Sequence, residues 1–362
     1  MKRATATAIL ILASVILQFL ARKTEWFAEW YSVRVYPKLV GTVGRFFSLF
    51  PFSAAELLLY AAAAGVVLWI LFSMIWLAVK RKKGVRTVLN LSVTVFFTAS
   101  LLLFLYTANC GINYYRLPFS VEAGIATRES SKEELYELCG YLLDKINENA
   151  ALIDKDAYGR STIDEAAVRR EAVKEMQKLG ERYPSLDGYY ARPKAVLFSD
   201  FLSCQEIQGI YSPFTIEANY NSDVPAYNIP VTICHELSHL RGFMREDEAN
   251  FIAYLACRDS LDPQFRYSGY MLAYIHSSNA LYNSKGEAEY RMLWDRLDAT
   301  ARADYAYNNE YWDRYKGKIA EISNQVNDSY LKINDQEEGI KSYGRMVDLL
   351  LADYRSNPSA RQ

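Results

Sequence analysis

Five consecutive residues, His235-Glu236-Leu237-Ser238-His239, hold the residue types best suited to chemistry in this 362-residue chain. On a helix, positions i and i+4 stand one turn apart on the same face, so both imidazoles can reach one metal ion. Glu236 sits beside the first histidine. There a carboxylate can hold a water, accept its proton and later hand that proton to a leaving amine. Zinc in such a site lowers the pKa of a bound water to about 7 and polarises the carbonyl to be cut. The chain has three histidines and two of them fall in this motif. The order of residue types points to zinc-dependent peptide hydrolysis, with His235 and His239 as metal ligands and Glu236 as general base.

A catalytic zinc needs a third protein ligand and one open position. Asn228 is placed to cap the motif helix and Pro230 to occupy an early turn, while Val231, Ile233, Leu237 and Leu240 make the helix apolar. If that helix continued unbroken, Glu246 would lie about 16 Å along its axis from His235, too far to share a metal. Gly242 offers the break, because glycine readily takes the left-handed conformation that ends a helix. A second helix can then open at Glu246 or Glu248, run to about Cys257 and face back towards the first. Both acids are candidates at this point, with His276 as a third.

The pattern H-E-x-x-H followed by Glu246-x-x-Ala249-Asn250 resembles that of the gluzincins, in which a helix carrying E-x-x-A-D supplies the third ligand from its first Glu. The resemblance implies Glu246 in that role. Asn250 replaces the usual Asp, and an amide would orient a ligand histidine more weakly than a carboxylate. The link between the two helices is shorter than in gluzincins. Gly242 resembles the metzincin glycine instead, but Arg245 fills the position of the metzincin third histidine. The longer stretch, from the apolar segments through H-E-L-S-H, E-D-E-A-N-F and Ser342-Tyr343-Gly344-Arg345-Met346-Val347, is similar to an uncharacterised bacterial family of membrane-anchored zincin-like proteins with a domain of unknown function. That implies a zincin-like metallopeptidase domain and no settled substrate.

The elements that must position the motif begin after a membrane anchor. Residues 4–21, 57–79 and 87–110 are uncharged apolar segments. Each is long enough, or nearly so, to cross a hydrocarbon core of about 30 Å. Of the 41 Lys and Arg and 42 Asp and Glu, residues 1–110 hold 12 and 3, so the net charge of −1 conceals a basic first part and an acidic remainder. Lys2-Arg3 and the dense Lys80–Arg86 turn place those ends in the cytoplasm. The long loop between the first two spans and everything after Cys110 then lie outside. The chain reads as an integral protein of the cell membrane with an extracytoplasmic catalytic domain. No concentrated basic patch appears in the acidic part, so nucleic-acid binding has little support and no nucleic-acid partner is expected. The implied partners are the lipid bilayer and a peptide or protein substrate. The five cysteines have no metal-ligand spacing and form no disulfide framework.

Residues 111–362 read as one α+β domain, mostly helical with a small sheet. Ser130-Ser131 with Glu133-Glu134 reads as a capping box that opens a helix to about Ala151. Thr162 and Glu165 mark a second helix, to about Arg182. Lys194–Ser199 reads as a strand and Gly209–Asn221 as one or two strands, with Pro213 demoting that segment to a sheet edge. Helices dominate from Ile229 onward, with a break near Asn334–Gly339. An edge strand just before the motif helix could align a peptide by backbone hydrogen bonds. His276 and, more weakly, Tyr343 are candidates to stabilise an oxyanion. Three functions compete: a membrane-anchored zinc metallopeptidase, a receptor or signal transducer that uses a zincin-like domain for ligand sensing or limited self-cleavage, and a structural or regulatory membrane protein with a degenerate metal site. The intact Glu236 argues against the third, and the short cytoplasmic pieces favour the peptidase over the receptor.

Overall fold

The computed structural model describes residues 2–79, 81–284, 286–334, 336 and 343–356. The chain divides into two compact units: Met1–Arg116 with Ser212–Glu217, and Leu117–Tyr211 with Ala218–Gln362.

The first unit is built on α1 (Lys2–Lys23), α2 (Ala54–Val79) and α3 (Arg81–Asn109). All three are long and apolar enough to cross a membrane. α3 packs against both others. Their outward faces expose residues such as Leu12, Leu68 and Phe96, as helices surrounded by lipid do. The connection between α1 and α2, expected to be a loop, is helical over 25–47 and includes π-type turns at Tyr31–Val35 and Val40–Gly44. Apart from Tyr31, its buried residues Ala28, Ser32, Tyr36, Val40 and Gly44 recur every fourth position. That period exceeds 3.6, and the wider π turns keep it on one face. Because one member of the buried row is a serine and another a glycine, an apolar periodicity does not reveal it.

Residues 212–217 pack as part of this unit. The Asn109 amide donates to Pro213 O (2.7 Å). The backbone N–H groups of Ala54 and Ala55 donate to the Glu217 carboxylate (3.3 and 2.8 Å). A carboxylate there satisfies donors that the start of α2 would otherwise leave open. Ile216 takes φ 53°, an outlying conformation for a β-branched residue. Its backbone comes so close to Gly44 that a Cβ there would stand 3.2 Å from Ile216 O.

The second unit is mostly helical. α4 (Lys132–Ala150) starts with the Ser131/Glu134 capping box. α5 (Glu165–Arg182) is capped by Asp164 rather than Thr162. The three-stranded sheet has the order β1 (Lys194–Ala195), β3 (Glu217–Tyr220), β2 (Gly209–Ser212), with β1 parallel to β3 and Lys194 opposite Asn219. The strand expected over Lys194–Ser199 is therefore short. Val196 N–H still reaches Tyr220 O (3.0 Å), and the chain then turns into α6 (Ser199–Ser203). Pro213 stands just past β2, at the sheet edge. α7 (Asn228–Leu240), α8 (Glu246–Arg258) and α9 (Pro263–Asn283) pack on one another, with α5 against α7 and α8, and α4 against α9. α10 (Glu287–Arg296), α11 (Ala299–Tyr315), α12 (Lys318–Ile333) and α13 (Tyr343–Ser356) complete the unit. The expected break after Asn334 lies mostly outside the described residues.

Candidate metal centre

α7 carries the motif. Every residue on it except His235 is buried, so its polar groups must be satisfied inside the fold. Asn228 opens the helix but does not cap it. Its amide donates to Asn308 Oδ1 (2.9 Å) instead. The far end closes on Gly242, at φ 84°. Gly242 N–H donates to His239 O (2.9 Å) and Phe243 N–H to Ser238 O (3.2 Å), the two bonds of a glycine-dependent helix stop. That turn brings the Phe243 carbonyl back to the His239 ring, whose Nδ1–H donates to it (2.7 Å). A carbonyl only accepts, so this bond fixes the proton on Nδ1 and leaves the Nε2 lone pair for a ligand. His235 is set the same way. Its Nδ1–H donates to Asn250 Oδ1 (2.8 Å), from the second turn of α8.

Between the two Nε2 atoms stands Glu246, first residue of α8. Its Oε2 is 3.3 Å from His235 Nε2 and its Oε1 is 3.6 Å from His239 Nε2. The candidate ligand atoms of His235, His239 and Glu246 all lie within 4.8 Å of one another. The two rings are nearly perpendicular, 4.6 Å between centroids. The structure thus brings Glu246 to the histidine pair and takes Glu248 elsewhere. Glu248 accepts from Phe119 N–H (2.9 Å) and faces Arg245 Nε (3.1 Å). All three acids of the first turn of α8 benefit from its helix dipole, but only one points into the cluster.

Charge in the cluster follows from burial and pairing. Burial pulls His235 down, yet its hydrogen bond to Glu246 and the Glu246 and Glu236 charges raise it to about 9. His239 goes the other way, to about 4, through burial and the positive His235 beside it. Burial raises Glu246, but the two imidazoles outweigh this and hold it below the usual carboxylate range. Glu236 is pushed up to about 8, chiefly by burial. Among the described residues its Oε2 has no hydrogen-bond partner. A buried acceptor left open costs about 1–3 kcal/mol, which calls for a ligand or a water at that point. The donor set and the open carboxylate fit a divalent cation with N/O preference.

A family model described as "Protein of unknown function (DUF3810)" matches residues 31–351. The chain belongs to the DUF3810 family. No curated protein and no solved structure matches it.

Three further parts of the DUF3810 chain surround the cluster. Tyr211, on β2, has its ring 6.3 Å from that of His239. Gly209, the first residue of β2, lies so close to Glu236 that a Cβ there would overlap the carboxylate. Neither residue stands out in the sequence. A glycine opening an extended segment is the one signal that a backbone approaches something closely. His276, on α9, is half-buried and held at about 4 by burial and by the positive His235, which places it within electrostatic reach of the cluster. The side chain of Tyr343 lies outside the described residues. Gly209→Ala is expected to displace the Glu236 carboxylate while leaving the other three residues in place. In a metallohydrolase a shift of about 1 Å in the base costs on the order of 10²-fold in rate, so a chain of that kind would lose most activity in this variant at unchanged metal content. Loss of metal on substitution would show that Gly209 supports the whole cluster instead.

Proposed function

We propose that this chain is a membrane-anchored, zincin-like zinc metallopeptidase, with His235, His239 and Glu246 as ligands and Glu236 as general base. The observation that carries the reading is one juxtaposition. Two imidazoles locked in the Nδ1–H form face a shared carboxylate, beside a buried carboxylate oxygen without a partner among the described residues. A structural site has no use for that last group. When bound, zinc supplies a lowered water pKa and a polarised carbonyl. The protein's own part rests on Glu236. Burial raises its proton affinity above that of an exposed carboxylate, as a group that must take up a proton and return it requires. Asn250 and the Phe243 carbonyl hold the imidazoles in register. Edge strand β2, which begins beside Glu236, gives an extended peptide a line along which to pair.

Protein purified without chelator is expected to carry about one zinc per chain by elemental analysis. Zinc-free protein that fails to take up the ion from solution would end this reading. The charge pattern of the sequence, with its basic run Lys80–Arg86 between two apolar segments, supports an orientation in which the second unit lies on the outer face. A phosphatase reporter fused after residue 362 should therefore be active. Activity only from a reporter that works in the cytoplasm would reverse the orientation.

A further inference from the structure

α12 turns its apolar face the wrong way for a helix that only packs on a core. Ile319, Ile322, Val326 and Ile333 are 57 to 68% exposed. At about 100° per residue they fall within about 60° of one another. The buried residues of the same helix, Ala320 and Leu331, lie about 140° away. An ordinary surface helix sends its branched apolar residues inward. Scattered exposed apolar side chains need no explanation, but four in one narrow arc do. Lys318 and Lys332 border the arc on one side and Tyr330 on the other. The Asn324 amide donates to Glu206 Oε2 (2.8 Å), which ties α12 to the segment just past α6, the helix on which Phe201 is 54% exposed.

We infer that the outward arc of α12, with Phe201 of α6, is an interfacial foot that docks the second unit on a lipid bilayer. This rests on the membrane-anchor reading above. Chain continuity argues for lipid over a soluble partner. Exposed apolar side chains recur along the chain at Phe201, Ile210 and Phe214, and Phe214 lies in the Ser212–Glu217 stretch that packs with the three membrane-length helices. Ile210 is two residues from that stretch, at most about 7 Å of chain. A narrow aliphatic arc flanked by lysines and a tyrosine is also the composition of a helix lying in a membrane interface. Anionic headgroups would attract Lys318 and Lys332.

The test uses the full chain in nanodiscs of phosphatidylcholine and phosphatidylglycerol. The Cys204→Ser background removes the one native cysteine that is not buried. An environment-sensitive fluorophore is placed on Ile322→Cys or Val326→Cys. Controls are Glu321→Cys on another face of α12, Tyr158→Cys on an exposed turn, and Leu102→Cys within α3. The 322 and 326 probes should emit to the blue of the 321 and 158 probes and lose intensity when spin-labelled lipid is included. Probes at 322 and 326 that behave like the one at 158 would overturn the inference. So would shielding that depends on protein concentration and ignores labelled lipid, since a second copy would then cover the arc. Quenching at 102 without quenching at 322 leaves the anchor standing and removes the foot. An unquenched 102 removes the anchor itself, and the foot with it.

Discussion

Glu236→Gln is expected to abolish peptide hydrolysis while leaving zinc bound at about one ion per chain. The amide keeps the volume of the side chain and can still hydrogen-bond a water, but it cannot take up a proton. Positioned general bases contribute about 10²–10⁴-fold, and the loss should fall in or above that range. The three ligand candidates, His235, His239 and Glu246, keep their mutual geometry because Glu236 is not the residue that orients them: Asn250 and the Phe243 carbonyl do that. The same substitution has a signature in chelator-treated protein that does not depend on knowing the substrate. With its folded pKa raised from 4.5 to about 8, Glu236 binds more protons in the folded state than in the unfolded one across that interval. Stability from this group therefore falls as pH rises from about 4.5 to about 8. The glutamine variant lacks the term. Its melting temperature should gain on that of the wild type as pH is raised through that window. Equal activity in the two proteins, or loss of zinc from the variant, would remove Glu236 from the role of base.

How far the sequence reveals the site depends on how locally each part is specified. His235 and His239 are legible because a four-residue spacing on a helix guarantees one face. Glu246 needs one further step, that Gly242 stops the helix, and glycine signals this by its conformational freedom. The three apolar helices are legible because a membrane imposes length and composition together. What escapes the sequence is backbone chemistry and non-local packing. The Phe243 carbonyl that fixes His239 has no side-chain signal. Gly209 reaches Glu236 across 27 residues, and only the folded strand brings it there. The helical run over 25–47 is hidden by its four-residue period and by Ser32 and Gly44 in its buried row. The Ser212–Glu217 stretch shows the same limit. Its Pro213 marks a sheet edge correctly, but nothing in its composition announces that Glu217 would close the N-terminus of α2.

Glu246→Ala is expected to strip the metal, and Glu248→Ala to leave it in place in a less stable domain. The two acids are one pair of residues apart on the same helical turn, yet they differ in what they face. Both oxygens of Glu246 look at imidazole Nε2 atoms. Removing it leaves two neutral donors, and zinc affinity should fall by more than the 10–100-fold typical of losing an outer partner. Glu248 is buried and accepts from Phe119 N–H while facing Arg245. Its removal leaves a buried N–H without an acceptor, at about 1–3 kcal/mol, and lowers the melting temperature with zinc still near one per chain. A second readout separates the cases without metal. His235 owes its pKa of about 9 largely to Glu246, so Glu246→Ala should bring it down in chelator-treated protein. Glu248 is not among the groups that raise it, so Glu248→Ala should leave it high. With three histidines in the chain, their titrations can be followed individually by NMR. Zinc lost from the Glu248 variant and kept by the Glu246 variant would transfer the third-ligand role to Glu248. It would also mean that the first turn of α8 rearranges when the ion binds, because in this structure Glu248 is committed to Phe119 and Arg245.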